Sequence, residues 1–244
     1  MKSNKAELMR RGYADEEMIQ AAKLKTEAEL IKDLNSALAW ERSAAVYALK
    51  QPDRFASLYL EMLSKEKKLY TRLAYSEVLA AGGERCAQEL SEWLGMIGNN
   101  QHQSIGLTSK KKSYPLPRDL IARIMAKMDG KILPILFAQS IFSDEKKLSE
   151  ALDAIGFMVF YHPALASDQQ LHQILRLFDE CENEVIHWKA VTALSAYPTP
   201  AACRFLEGLY RTGNPRLQPE IQRSLNLLAA SVMIDFCGFK FKNR

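Results

Sequence analysis

Nothing in this chain is spaced for crosslinking, metal binding or membrane insertion. Its four cysteines, Cys86, Cys181, Cys203 and Cys237, are scattered without a Cys-x-x-Cys pair, so reduced core thiols are expected in place of a disulfide or zinc framework. Long apolar runs are missing as well. The best candidate, residues 132–142, holds Pro134, Gln139 and Ser140 and falls short of the ~18 apolar residues of a membrane span. The start, Met1-Lys2-Ser3-Asn4-Lys5, has no apolar stretch behind its charges, which sets the expectation of a cytoplasmic protein with no membrane contact. Catalytic signatures are equally scarce. His102, His162, His172 and His187 never fall at a His-x-x-x-His or His-Glu-x-x-His spacing, and there is no Gly-rich phosphate loop or Gly-x-Ser-x-Gly elbow. Cys181, His187 and Cys203 lack the tight ligand pair of a metal site. No catalytic residue, metal or cofactor is therefore assigned.

Glycine and proline are sparse, at 11 and 9, while Ala, Leu, Glu, Lys and Met abound and β-branched runs are few, which selects helix over strand. The 48% hydrophobic and 25% charged content leaves ample material for a core and excludes disorder. The 244 residues are read as one domain, 1–244. The net charge of +4 is unevenly placed: residues 104–131 carry +5 and residues 204–244 carry +4, leaving −5 for the rest. Placement of this kind steers partners more than the sum does.

Self-similarity organises the chain. Trp40-Glu41-Arg42-Ser43-Ala44-Ala45-Val46-Tyr47-Ala48-Leu49 aligns with Tyr70-Thr71-Arg72-Leu73-Ala74-Tyr75-Ser76-Glu77-Val78-Leu79 at an offset of 30, with aromatic, Arg, Ala and Leu in register. A third copy begins His187-Trp188-Lys189-Ala190 and reaches Leu194, and a weaker fourth is spaced over Gln218, Ile221 and Leu225. The i, i+3, i+7 pattern places a polar group, a small residue and a Leu along one side of a helix. Each such helix follows another amphipathic one, at 28–38, 55–63, 87–96, 171–178 and 201–210, with turns between, such as Pro52-Asp53, Gly82-Gly83 and Gly213-Asn214-Pro215. In the middle, helices are predicted over 117–128, 131–141 and 144–161. The second helices then centre near Ala45, Tyr75, Ala122, Asp153, Ala190 and Arg223, and the long gap after Tyr75 is absorbed by an insertion loop, 97–114.

The pattern Arg42-x-x-Ala45-x-x-x-Leu49 and its copies resemble the short form of the HEAT-like repeat family. The resemblance covers most of the chain and implies an all-α, right-handed α-α superhelix, a solenoid of about six helix pairs over 26–230. Capping helices are expected over 1–25 and a C-terminal tail over 231–244. In that family the second helices line the concave face and polar residues tie neighbouring repeats together.

On a helical wheel of about 100° per residue, Ala45 and Leu49 lie near 300° and 340° from Arg42, whereas Trp40 lies near 160°, off the apolar stripe. Tyr70 repeats the position of Trp40, and Trp188 is also off the stripe. Two readings of these rings stay open: packing between repeats, or an aromatic and basic ridge that binds a protein partner through Trp40, Arg42, Tyr70, Arg72, His187 and Trp188. The protein-binding reading makes the chain a non-enzymatic scaffold. The alternative is nucleic-acid binding through the basic patch of Lys110, Lys111, Lys112, Arg118, Arg123 and Lys127. Certain alkylpurine DNA glycosylases are HEAT-like solenoids in which a Trp is followed one turn later by a catalytic Asp. Here Ala44, Ile97 and Thr192 follow Trp40, Trp93 and Trp188 at that spacing, so only the architecture resembles theirs. The tail phenylalanines, Phe236, Phe239 and Phe241, are expected to cap the core or to dock on a second copy as a dimer.

Overall fold

The structure, a computed structural model, describes residues 4–138 and 144–239, with residues 231–239 described by backbone alone. Every regular element among the described residues is helical, as the composition requires. The chain divides into two compact units, Met1–Trp93 with Lys127–Ile132, and Leu94–Ala126 with Leu133–Arg244.

The first unit contains α1 (Lys5–Arg10), α2 (Glu16–Lys23), α3 (Glu27–Asp33), α4 (Ala39–Leu49), α5 (Pro52–Lys65), α6 (Leu69–Ala80) and α7 (Glu84–Glu92). Their ends are written in the sequence. Thr26 and Glu29 form a reciprocal capping box at the start of α3, and Pro52 opens α5 where its missing N–H costs nothing. Helix α2 packs along α4 and α4 along α6, forming one layer; α5 packs on α7 in the other. Small residues make the close approach possible: Ala44, Ala45 and Ala74 are fully enclosed. The 30-residue offset becomes a set of lateral bonds. Ser43 Oγ donates to Thr71 Oγ1 at 3.0 Å, Tyr47 donates to Glu77 at 2.6 Å, and the Asp53 carboxylate accepts from Gly83 N and Cys86 N at 3.0–3.1 Å. Asp53 thus caps α7, one repeat further on, with negative charge where a helix N-terminus favours it.

The second unit contains α8 (Leu120–Met125), α9 (Leu133–Leu136), α10 (Glu145–Tyr161), α11 (Asp168–Glu180), α12 (Glu184–Leu194), α13 (Pro200–Thr212) and α14 (Gln218–Phe239). Here α8, α10, α12 and α14 pack in succession as one layer, while α11 and α13 pair with α12 and α14. Glu184 accepts from Asn214 at 2.5 Å and pairs with Arg216 at 2.6 Å, again joining positions about one repeat apart. All six second-helix centres read from the sequence fall within α4, α6, α8, α10, α12 and α14.

Three boundaries differ. Helix α14 runs on to Phe239, past residue 230 where a tail is expected, because the sequence from Ser231 to Cys237 holds no Gly or Pro to stop it. The segment expected as a helix over 131–141 is a 3₁₀ turn, Gly130–Ile132, followed by the single turn of α9; residues 139–143 lie outside the described residues. The irregular stretch extends to Arg118, because Asp119 is the N-cap that starts α8. The side chains of Phe236, Phe239 and Phe241 also lie outside the described residues.

Candidate binding surfaces and a covered cavity

The repeat's polar position is occupied within the fold. Arg42 Nη1 donates to Ser36 O at 2.7 Å and Arg72 Nη1 to Glu66 O at 2.9 Å. His187 Nε2 stands 2.6 Å from Cys181 O, and since a carbonyl only accepts, this nitrogen carries the proton. Each acceptor lies six residues before its donor. Arg123 does the same, donating to Pro117 O at 2.9 Å. In four of the six second helices, α4, α6, α8 and α12, a side chain in the first turn therefore closes the connection that leads into that helix. Arg42 also grips Glu66 through two bonds of 2.7 and 2.9 Å. Burial would push the Glu66 carboxyl up, but Arg42 and the amides of Lys68 and Lys67 hold it below its ordinary value. His187 stacks on Phe178 at 4.8 Å between ring centres.

The two aromatic partners in the first unit differ in what covers them. Tyr70 meets Tyr13 edge-on at 5.6 Å and lies under the Arg11 guanidinium at 5.4 Å, and its amide donates to Arg11 O at 3.0 Å. The turn between α1 and α2 is pressed there by Gly12, at φ +95°, whose place a Cβ would bring within 2.2 Å of Thr71 Oγ1. Trp40 is half-buried and lines two grooves, of about 320 Å³ against α2 and about 390 Å³ against α1.

In the second unit, the insertion folds back over the second helices. Tyr114 is buried against Phe157 and Phe160 of α10, and Gly156 makes room for its hydroxyl, which a Cβ would meet at 1.9 Å. Gln101 donates to the buried Asp119 at 2.8 Å, and Arg223 of α14 donates to Ser113 O at 2.8 Å. His102 stands edge-on to Trp188 at 4.7 Å. Beneath this segment lies a cavity of about 170 Å³, lined by His102, Arg118, Asp153, Trp188, Glu220 and Arg223 among others. Lys189 lies behind it, 1% exposed, bonded to Glu150 at 2.8 Å and Asp153 at 3.0 Å. Burial drives the Glu150 carboxyl above its ordinary value, Asp153 adds to this and Lys189 opposes it. For Lys189, burial opposes the charge, yet the two carboxylates raise its pKa and keep it an ammonium. Burial, Lys189 and Arg118 hold His102 below its ordinary value against the pull of Asp153, so its ring is neutral near pH 7.

No protein-family model and no curated protein matches the chain. Among solved structures it is similar to an engineered protein from a structural-genomics consortium, at TM-score 0.39 and 15% identity over 84% of this chain and 96% of that one. A second engineered protein from the same consortium gives 0.36 at 14% identity, over 84% and 99% of the chains. A designed armadillo repeat protein gives 0.31 at 15% identity, over 83% and 100%.

Of the basic residues singled out from sequence, Lys110, Lys111, Lys112, Arg118 and Arg123 lie in the second unit and Lys127 in the first. Lys110, Lys111 and Lys112 are exposed and line a groove of about 670 Å³ with Phe160, Pro219 and Gln222. Among the described residues no cluster of His, Cys, Asp and Glu is placed to hold a metal, and no helix is long and apolar enough to cross a membrane. No site role for Glu150, Asp153 or Lys189 was read from the sequence. Their signal is Glu150-x-x-Asp153 inside an otherwise apolar helix, facing a Lys set in the apolar run Trp188 to Leu194.

Proposed function

We propose that the chain is a HEAT-like, non-enzymatic scaffold whose first unit binds an amphipathic helix of a protein partner, with Trp40 as the anchor. The observation that carries this is the placing of the Trp40 ring between two open grooves. Met18, Ala21, Ala22 and Ala44 make one groove apolar, with Glu17, Lys25, Asp33 and Glu41 also lining it and Arg10 and Lys68 lining the other, so the partner helix carries an apolar stripe flanked by charges of both signs. Leu38, Leu69 and Leu73 are exposed at or on α4 and α6, adding apolar area of the kind that surrounds a buried aromatic anchor in interfaces. Repeat proteins use such extended helical faces for recognition.

A photo-crosslinking residue at position 73 tests this. A discrete adduct is expected in cell extract and is lost on Trp40→Ala, which leaves stability unchanged within about 1 kcal/mol. An adduct indifferent to Trp40→Ala refutes the reading, as does a loss of several kcal/mol, about 3–5 being the cost of a core Trp.

A second reading rests on Lys110, Lys111 and Lys112, whose ammonium groups form no ion pair among the described residues. A nucleic-acid backbone suits them. Gel shift with duplex DNA and RNA at two salt concentrations tests it, because phosphate contacts weaken steeply with salt. Binding at low salt that disappears in the Lys110/Lys111/Lys112→Ala variant supports it, and the absence of low-salt binding removes it.

A further inference from the structure

We infer that the cavity beneath the 97–119 segment takes up a small zwitterion the size of a free amino acid, with Arg118, Trp188 and Arg223 receiving its carboxylate and Asp153 and Glu220 its ammonium. This site is independent of the Trp40 grooves and lies wholly in the second unit.

The walls are built and incompletely satisfied. Trp188 and Arg223 are 8% and 7% exposed, yet Trp188 Nε1 and Arg223 Nε have no hydrogen-bond partner, nor has His102 Nδ1. Indole and guanidinium nitrogens only donate. A buried donor left without an acceptor keeps its desolvation cost uncompensated, so an acceptor in the cavity is strongly favoured. Arg118 also lines the cavity, is exposed, and makes no hydrogen bond or ion pair among the described residues. Two of these three donor groups are cationic, which selects a carboxylate over a carbonyl.

An anion alone does not fit. Asp153 and Glu220 line the same space, and each already shares a buried cation, Lys189 at 3.0 Å and Arg223 at 2.8 Å. These buried charges are paired, so a ligand of net charge would unbalance them in a poorly solvated place. A ligand with its own ammonium meets both carboxylates and stays neutral overall. Size narrows the class further. About 170 Å³ is well under the roughly 300–1,000 Å³ of pockets for drug-sized molecules. Pro115 and the exposed Leu107 and Leu116 give the open side of the cavity an apolar rim suited to a small side chain.

Titration calorimetry of the full chain against each of the twenty free amino acids tests the inference. Saturable binding of one or a few is expected. The matching carboxylic acid without its amine, and the amine without its carboxylate, should each bind at least about ten-fold more weakly. Arg118→Ala should weaken binding about ten-fold and leave the melting temperature of the unliganded protein unchanged, since Arg118 is exposed and unbonded. Trp188→Phe, which removes only the N–H and part of the ring, should weaken it as well. The inference is overturned if no amino acid binds up to about 10 mM, leaving water as the occupant. It is equally overturned if either half-ligand binds as tightly as the zwitterion, or if Arg118→Ala leaves the affinity intact.

Discussion

Replacing Lys189 by methionine keeps the length and volume of the side chain while deleting the ammonium that Glu150 and Asp153 share at 2.8 and 3.0 Å. Lys189 is 1% exposed and Glu150 equally so, so water does not substitute for the lost charge. Removing one partner of a buried ion pair costs about 3–5 kcal/mol, and we expect a loss of that size near pH 8. The loss is pH-dependent. The folded-state pKa of Glu150 is already raised, so its contribution to stability is full below its ordinary value of 4.5 and declines as pH rises through the raised value. Deleting Lys189 removes the cation that opposes this rise, so the Glu150 carboxyl moves further up. Each carboxyl held protonated against the solvent costs about 1.4 kcal/mol per pH unit, so the deficit of Lys189→Met should shrink toward about 1–2 kcal/mol near pH 5. Urea unfolding followed by circular dichroism at the two pH values measures this. A deficit under about 1 kcal/mol near pH 8, or one equal at both pH values, would refute the electrostatic account and leave only packing.

Glu66→Gln should destabilise the first unit at neutral pH and match the wild type at low pH. The Glu66 pKa is depressed, so its contribution is present above 4.5 and lost as pH falls through the folded-state value; acid titration of the unfolding midpoint checks this. Gly156→Ala forces Tyr114 out of its place, since the hydroxyl lies 1.9 Å from the added carbon. Hydrogen exchange over 97–119 should speed up while α4–α6 in the first unit stay protected. Lys50, at φ +48° and ψ −129°, occupies backbone space that suits glycine. Lys50→Gly should stabilise by about 0.5–1 kcal/mol, the relief of strain outweighing glycine's entropy, as thermal melting will show.

The repeat was legible because it is local. An offset of 30 residues in sequence becomes Tyr47 on Glu77 and Asp53 on Gly83, and the apolar spacing located every second helix. The roles of Arg42, Arg72 and His187 were not legible from a helical wheel. A wheel gives a side chain's direction around the axis, whereas these groups act at the helix end and reach back along the chain. Arg123, followed by Ala126 three residues on, carries the same signal, but its charge and its neighbours read as a basic patch. The fold of the insertion was hidden for another reason. Polar residues at 99–104 and three lysines read as a solvated loop, but its anchors, Tyr114 on Gly156 and Ser113 on Arg223, join positions 42 to 110 residues apart. The cavity inherits that opacity, because its walls come from that segment and three helices.

The reach-back bonds of Arg42, Arg72, Arg123 and His187 also bear on how such a chain tolerates change. Each connection is latched by the helix that follows it, within a span of six residues, and no neighbouring repeat is required to hold it shut. New sequence spliced upstream of a latch leaves the latch intact. The long irregular segment before α8 is spliced in that way: Arg123 fastens the Pro117 carbonyl near its end, two residues before the N-cap Asp119. A protein with self-latching joints can acquire a lid between two repeats without refolding either of them, and the joints upstream of α4, α6 and α12 offer the same opening for engineered insertions.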